Sequence, residues 1–188
     1  MPDPQPPTLT PDAAIIAARS HWQFTGTVRP PFAETPKEGQ RSVWDFPRPP
    51  AIQPISDPVE VRLDDEVIAK TSRAVEVLET SHAPTIYIPP GDFEGSLVSV
   101  SASGGSHCEW KGISRALAVR DVADAGWMIV QAYPEFAGLV GWAAFYPTHL
   151  TCLRNSQRVG AQGGGYYGGW VTPDLAGPIK GGPGSGGW

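Results

Sequence analysis

The sequence predicts a mainly β protein, built as one small domain of antiparallel strands. Glycine (22 residues) and proline (21 residues) are abundant, whereas charged residues make up only 18% of the chain. This composition favours short strands joined by tight turns over a bundle of helices. Several segments also alternate between apolar and polar residues, which is typical of strands with one buried face. A chain of 188 residues can bury a core without the help of a metal or a disulfide.

Residues 1–40 are predicted to form an N-terminal extension. Residues 1–9 are polar and rich in proline, so we expect them to be disordered. The sequence Thr-Pro-Asp at 10–12 is typical of a helix start, and a short helix is predicted over residues 11–21. The prolines of "VRPPFAETPKEGQ" (28–40) then favour an extended chain that follows the surface.

Residues 41–153 carry the alternating patterns and are predicted to form the β domain. Two of these patterns, "VEVRL" and "VIAKT", are separated by a polar turn and predict a β-hairpin. Gly104 and Gly105 predict a turn that ends the preceding strand, and Pro134 predicts the start of a short helix that reaches residue 141. The predicted strands are 59–63, 67–71, 74–80, 85–89, 96–103, 107–113, 116–122 and 142–147.

Residues 154–188 form a tail that is rich in glycine and aromatic residues. Because exposed aromatic side chains promote aggregation, we expect the tail to be ordered from about Tyr166 and to pack on the domain near Trp44. Its glycines do not predict a phosphate-binding loop, since no strand precedes them and no Gly-Lys-Ser sequence opens a helix there.

The net charge and the lengths of the apolar runs indicate which partners to expect, and the cysteines bear on the cellular compartment. A net charge of −5 without a basic stripe makes nucleic-acid binding unexpected. No apolar run approaches the length of about eighteen residues that indicates a transmembrane helix, and the first residues lack the basic and apolar parts of a signal peptide. We therefore expect no membrane partner and a cytoplasmic location, with Cys108 and Cys152 as free thiols. A homodimer is compatible with the sequence.

The segment "LETSHAPTIYIPP" (78–90) is the strongest indication of a site. It crowds Glu79, Ser81 and His82 in front of a proline, although a solvated loop has no need of the histidine and a buried strand would avoid the glutamate. The proline is expected to end one strand and to turn these side chains into a shared pocket. His82 could transfer protons with Glu79 as the partner that orients it. The alternative is a structural histidine, with Glu79 in a salt bridge to an arginine such as Arg48.

A second group of polar residues lies in "HCEWKG" (107–112). As a strand, this segment would point Cys108 and Trp110 to one face and Glu109 and Lys111 to the other, while a bend at the final glycine would re-aim the lysine. The lysine then anchors or polarises an oxygen of a ligand, or else lies exposed at a strand edge. The cysteine is a nucleophile only with a histidine beside it, and is otherwise a buried, inert thiol.

The histidines and cysteines do not predict a metal site. His82, His107, Cys108 and Cys152 show neither Cys-x-x-Cys nor His-x-x-x-His spacing, and structural zinc requires four ligands. No nucleophile elbow with its glycines is present either. We therefore expect neither a metal nor a cofactor.

Three motifs together resemble a known family. These motifs, "SVWDFPRPP" (42–50), "ETSHAPTIYIPP" (79–90) and "HCEWKG" (107–112), are similar to those of the domain of unknown function family numbered 427, which is sometimes labelled nucleotidyltransferase-like. The segment "GWAAFYP" (141–147) resembles the family's closing strand. With extensions that resemble those of longer members, of fungal or actinobacterial type, the likeness runs from about His21 to Trp188.

The resemblance implies a small, strongly bent antiparallel β domain of the β-tent kind, a shape also found in methionine sulfoxide reductase B. This chain lacks the paired Cys-x-x-Cys of the zinc-carrying relatives, and also the Gly-Ser followed by Asp-x-Asp with which a nucleotidyltransferase holds magnesium. It departs from the family in having no aromatic residue near Arg115 and Ala116, and in having Met128 and Ile129 after Trp127, which makes the predicted cavity more apolar. The family's motif residues correspond to Trp44, Asp45, Arg48, Glu79, Ser81, His82, Tyr87, Cys108, Trp110, Lys111 and Gly112.

These observations predict a metal-free protein with a pocket for a small organic ligand. As an enzyme it would use acid–base chemistry on an apolar substrate, with His82, oriented by Glu79, shuttling a proton and Lys111 anchoring or polarising an oxygen. The alternatives are a non-catalytic domain that binds a small molecule or peptide in an aromatic cage, and an interaction domain in which the polar motif only stabilises the fold. The residues predicted to bind the substrate are Trp44, Arg48, Ser81, Tyr87, Cys108, Trp110, Tyr133 and Tyr146.

Overall fold

The computed structural model describes residues 8–188, and most of its elements are short strands. One α-helix (α1, Ala13–Ser20) lies near the N-terminus, and two 3₁₀ helices cover Val43–Asp45 and Pro134–Leu139. The fold is therefore mainly β, as the composition and the alternation predict. The strands are β1 (Arg41–Ser42), β2 (Ala51–Pro54), β3 (Val59–Leu63), β4 (Glu66–Thr71), β5 (Val75–Leu78), β6 (Thr85–Tyr87), β7 (Val98–Cys108), β8 (Gly112–Val119), β9 (Val122–Ala132), β10 (Ala143–Phe145), β11 (Thr151–Arg154), β12 (Gln157–Arg158), β13 (Gly160–Ala161), β14 (Trp170–Val171) and β15 (Leu175–Ala176).

The strands form several antiparallel sheets and one parallel pair. The largest sheet has the strand order β10-β9-β8-β7, and a second four-stranded sheet has the order β12-β11-β3-β4. A three-stranded sheet is made of β2, β5 and β6, and β13 pairs with β14. In the parallel pair, β1 lies beside β15 from the C-terminal tail. The hairpin that "VEVRL" and "VIAKT" predict is present as β3 and β4.

The core consists of three apolar clusters. The largest joins both four-stranded sheets, with Val61, Ile68, Leu117 and Phe145 fully or almost fully buried, and it includes Trp170 from the tail. The second cluster surrounds Tyr87, Trp110, Ile129 and Phe136. The third contains Val43, Trp44, Phe46 and Leu78.

The N-terminal extension is ordered earlier than predicted. Thr8 forms a bridge with Ala132, and the main-chain N–H of Leu9 donates to the Ala132 carbonyl at 2.7 Å. The remainder of the predicted disorder, residues 1–7, lies outside the described residues. The helix begins later than predicted because Asp12 is its N-cap, with the side chain accepting from the main-chain N–H of Ile15 at 2.9 Å.

The predicted turn at Gly104 and Gly105 is wrong, because β7 continues through both residues to Cys108. A register shift against β8 between Val100 and Gly105 absorbs the irregular stretch. Such bulges let a strand bend without ending, and glycine accommodates the unusual backbone. The bulged segment is tied to β9, since Ser101 donates to Asp124 at 2.6 Å.

The strands predicted from the sequence cover only part of the largest sheet. Most of β9 was not predicted, since its register against β8 shifts twice and its apolar residues do not alternate along the strand. The helix predicted over 134–141 is a 3₁₀ helix that ends at Leu139. Among the described residues, no helix is both long enough and apolar enough to cross a membrane.

The C-terminal tail contributes strands and core residues to the domain. The ring of Trp188 lies 5.3 Å from the ring of Trp44 and stacks on Phe32 at the same distance. The indole N–H of Trp44 donates to the carbonyl of Pro178 at 3.1 Å. These contacts place the end of the tail against the third apolar cluster.

Candidate ligand pocket

A cavity of about 490 Å³ opens over one face of the β7–β8–β9 part of the largest sheet. Its floor carries small residues, including Gly105, Ser114, Ala116 and Gly126, and these leave the space that larger side chains would fill. The tail covers one side, where Gly168 lies so close to the ring of Trp127 that a Cβ atom would come within 2.2 Å of it. Its lining is completed by Trp22, Val77, Glu79, His82, Thr85, Ser103, Ser106, His107, Cys108, Glu109, Lys111, Gly112, Asp124, Ile129, Tyr146, Gln162, Tyr166, Tyr167 and Lys180.

A tight turn between β5 and β6 carries Glu79 and His82 to the cavity. Ser81 occupies the left-handed region at φ 71°, which is uncommon for a residue other than glycine, and its main-chain N–H donates to the Val43 carbonyl at 2.9 Å. The Thr80 hydroxyl donates to the Phe46 carbonyl at 2.5 Å. Because the turn is bonded to this neighbouring segment, the side chains before Pro84 are held in one place.

Glu79 forms an ion pair with two cations. Its Oε1 lies 3.2 Å from Nη2 of Arg48, and its Oε2 lies 3.6 Å from Nζ of Lys111. The Arg48 side chain is only 1% exposed. It therefore pairs with the carboxylate from the protein interior and does not line the cavity. Burial alone would raise the pKa of Glu79, but Lys111, His82 and Arg48 together lower it, and the group is an anion at neutral pH.

His82 presents an unprotonated nitrogen to the cavity. Its Nδ1 lies 2.9 Å from the carbonyl oxygen of Thr80, which can only accept, so Nδ1 carries the proton and Nε2 keeps its lone pair. Burial lowers the pKa of His82 to about 4, despite the opposing effect of Glu79. The ring edge meets Tyr167 with the ring centres 5.0 Å apart. The imidazole is therefore neutral at pH 7.

Cys108 ends β7, and Lys111 lies in the hairpin loop that follows it. The prediction that residues 107–113 form one continuous strand is wrong. Residues 109–111 form the loop between β7 and β8, so strand alternation does not govern their directions. Gly112 follows at φ 113°, where a Cβ atom would lie 2.3 Å from the Gln131 carbonyl oxygen. The glycine thus re-aims the lysine toward Glu79. Burial alone would lower the pKa of Lys111, but Cys108 and Glu79 raise it, so the amine stays protonated.

Six of the residues predicted for the pocket lie elsewhere. Trp44 and Ser81 are fully buried away from the cavity, and Arg48 lies behind Glu79. Tyr87 is a core residue whose hydroxyl accepts from the Trp127 indole at 3.1 Å. Burial raises the pKa of this tyrosine to about 12.

Trp110 and Tyr133 belong to the side of the sheet that the N-terminal helix covers. The guanidinium of Arg19 lies 5.2 Å from the ring centre of Trp110 and 4.6 Å from that of Tyr133. The hydroxyl of Tyr133 lies 2.8 Å from Nε2 of His107. Tyr146, in contrast, lines the cavity together with Glu79, His82, Cys108 and Lys111.

Several residues that line the cavity were not predicted from the sequence, above all Trp22, Trp127, Tyr167 and Lys180. Lys180 stands alone among glycines, so no pattern marks it. Its Nζ lies 4.2 Å from the ring centre of Trp22 and 5.9 Å from that of Tyr167. The seven tryptophans of the chain are the one available signal for this wall.

The comparison with known protein families gives one match. Residues 51–156 match the model described as Domain of unknown function (DUF427). The chain belongs to this DUF427 family. The DUF427 segment contains Glu79, His82, Cys108 and Lys111, whereas Trp22, Tyr167 and Lys180 come from the extensions on either side. No curated protein matches the chain. Among residues 8–188, no three His, Cys, Asp or Glu side chains are grouped so that they could hold a metal ion.

The buried histidine makes the stability depend on pH. The pKa of His82 is about 4 in the folded protein and about 6.5 in an unfolded chain. As the pH falls below the pKa of the unfolded chain, the unfolded state binds the proton before the folded state does. The free energy of unfolding is therefore highest above that pKa and declines toward pH 4. We expect urea titrations to show a loss of roughly 3 kcal/mol across this interval.

The matched variant for this measurement is His82→Asn, whose side-chain amide can still donate to the Thr80 carbonyl. It should lose most of the decline, while His21→Asn at an exposed position should keep it. An unchanged pH dependence in His82→Asn would show that another group is responsible.

Proposed function

We propose that the protein binds a small, mostly apolar organic molecule in this cavity and catalyses proton transfer on it, with His82 as the base. The observation that carries the proposal is the fixed tautomer of His82, since the bond from Nδ1 to the Thr80 carbonyl leaves the Nε2 lone pair for a ligand. A cavity of about 490 Å³ has the size of sites that enclose small organic ligands.

Lys111 supplies the complementary charge. Cys108 and Glu79, the latter at 3.6 Å, raise the pKa of its ammonium group and keep it protonated. A cation at the cavity wall stabilises negative charge that develops on a ligand oxygen when a nearby proton is removed. The two groups together suit the removal of a proton from a carbon next to a carbonyl group.

The low pKa of His82 restricts the substrates. A base with a pKa of about 4 is fully unprotonated at pH 7, but it is weak. It can remove only a proton that the substrate or the site makes acidic. An oxygen bound at Lys111 provides such activation.

The second candidate function is binding without catalysis, and the weakness of His82 as a base favours it. Binding of a cationic ligand in an aromatic cage has less support, because two cationic side chains of the protein already lie over the ring of Trp22. Arg48 lies 4.4 Å from the ring centre of Trp22, and Lys180 lies 4.2 Å from it. A neutral ligand fits this cavity better than a cationic one.

The two functions are separated by hydrogen exchange on ligands that carry a carbonyl group. Acetophenone and related apolar ketones would be incubated with the protein in D2O, and deuterium at the carbon next to the carbonyl would be followed by NMR. We expect the protein to accelerate exchange, and His82→Asn to lower the enzymatic rate by about 100-fold or more, the usual contribution of a general base.

Binding of the same ketones would be measured in parallel by ligand-observed NMR, with His21→Asn as the control. Binding that persists without accelerated exchange would identify the non-catalytic function. If none of the ketones in the panel binds, both the catalytic and the non-catalytic function are contradicted.

A further inference from the structure

We propose that Ala116 sets the size of the apolar group that the cavity accepts, and that the ligands are ketones that carry two fused aromatic rings. This inference rests on the proposed function and names its substrate class. Ala116 lies on β8 and lines the cavity, but it takes no part in the Glu79–Lys111 ion pair or in the hydrogen bond of His82.

The cavity follows β8 from its first residue as far as Ala116. Gly112, Ser114 and Ala116 all line it, and Gly112 directly follows Lys111 in the chain. A strand rises about 3.3 Å per residue, so this part of the lining spans roughly 13 Å. A ligand whose oxygen lies at Lys111 therefore has room for an apolar group farther along the strand.

Ala116 points to the cavity, and its small side chain leaves that room open. The next residue, Leu117, belongs to the largest core cluster and is 1% exposed. Neighbouring residues of a strand point to opposite faces, so Ala116 lies on the face away from this cluster. In the register of β8 and β9 it is opposite Trp127, which also lines the cavity. A larger side chain at position 116 would occupy the space beside the indole ring.

Aromatic rings form the wall at this end of the cavity. The ring centres of Trp127 and Tyr146 lie 4.7 Å apart, with the two planes at 52°. The indole is held in place, because its N–H donates to the Tyr87 hydroxyl at 3.1 Å and Gly168 packs against its six-membered ring. A fixed aromatic wall favours a flat aromatic group of the ligand.

The carboxylate nearest to this wall along β9 already has its partners. Asp124 lines the cavity, but it accepts a hydrogen bond from Ser101 at 2.6 Å and another from Ser103. The apolar group of a ligand can therefore lie at this end without leaving Asp124 unpaired.

The volume of the cavity also favours more than one ring. About 490 Å³ is in the range of sites that enclose drug-sized ligands. Acetophenone, with a single ring, leaves part of this space unfilled. A second fused ring extends the flat group along β8 toward Ala116 and Trp127.

The experiment compares three probes by ligand-observed NMR at pH 7: acetophenone, 2-acetylnaphthalene and naphthalene. We expect 2-acetylnaphthalene to bind about tenfold or more tightly than acetophenone, because the second ring removes further apolar surface from water. Naphthalene has no oxygen for Lys111, so its binding tests the apolar end separately from the proposed chemistry.

Ala116→Phe is the variant that fills this end. A phenylalanine opposite Trp127 is a favourable cross-strand pair, so we expect the variant to fold. It should weaken 2-acetylnaphthalene and naphthalene at least about tenfold more than it weakens acetophenone. If it does not fold, Ala116→Val should reduce the preference for two rings in the same direction by a smaller factor.

Arg115→Phe is the matched control, because it adds the same ring to the neighbouring residue of β8 at an exposed position that does not line the cavity. It should keep the preference of the unmodified protein for two rings. Equal affinities for acetophenone and 2-acetylnaphthalene, or equal weakening of both in Ala116→Phe, would overturn the inference.

The outcomes also separate this inference from the proposed function. Hydrogen exchange that depends on His82 without a preference for two rings refutes the assignment of Ala116 alone. Binding of naphthalene that Ala116→Phe removes, without exchange that depends on His82, supports the assignment of Ala116 and refutes the catalytic function.

Discussion

Replacing Glu79 with glutamine is expected to lower the free energy of unfolding by about 3–5 kcal/mol, the usual effect of removing one partner of a buried ion pair. The substitution keeps the shape of the side chain but leaves two cations without their anion. The Arg48 side chain is 1% exposed, so water cannot replace the lost carboxylate there, whereas Lys111, 15% exposed, faces the cavity. Urea unfolding at pH 7 measures the change.

The control for this substitution is Glu66→Gln. Glu66 pairs with Arg120, but the two side chains are 40% and 51% exposed. Water screens the charges of an exposed pair, so this variant should lose much less stability than Glu79→Gln. Similar losses in the two variants would mean that the Glu79 cluster is as well solvated as the surface pair, and the pocket electrostatics described above would not hold.

Replacing Trp170 with alanine is expected to cost about 3–5 kcal/mol, as for other large aromatic residues removed from a core. The side chain belongs to the largest apolar cluster and is 2% exposed. Its indole N–H donates to the Phe145 carbonyl at 3.1 Å, and that acceptor would lose its partner. The main-chain N–H of the same residue donates to the Pro84 carbonyl at 2.9 Å, which ties the tail to the turn that carries His82.

Tyr166→Ala is the control for the tail. Tyr166 is 69% exposed, so its removal should change the stability by less than about 0.5 kcal/mol. Deleting residues 166–188 should prevent stable folding, because it removes Trp170 together with β14 and β15. A melting temperature unchanged by the deletion would show that the tail is not part of the core.

The polar part of the candidate site could be predicted from local sequence. Glu79 and His82 stand out because a charged and a titratable residue sit between two apolar strands, and Lys111 stands out because it shares a short motif with Cys108 and an aromatic residue. The structure brings these four side chains to one cavity. The alternation of "VEVRL" and "VIAKT" likewise predicts the β3–β4 hairpin, since a period of two residues is a local property of any strand with one buried face.

Other features depend on contacts that no local pattern encodes. The direction of Lys111 follows from a hairpin loop and from Gly112, whose backbone passes too close to Gln131 for any side chain. The separation of Trp110 from the cavity follows from the helix that brings Arg19 over its ring.

The sequence by itself determines the mainly β class, the β3–β4 hairpin and the chemical character of the Glu79–His82 segment. The tertiary structure decides which side chains share the cavity, because Trp22 and Lys180 are far apart in the chain and yet meet at 4.2 Å. Alternation records only whether a residue faces the core or the solvent. It carries no information about which distant segment covers that face, and the lining of a cavity is fixed by that packing.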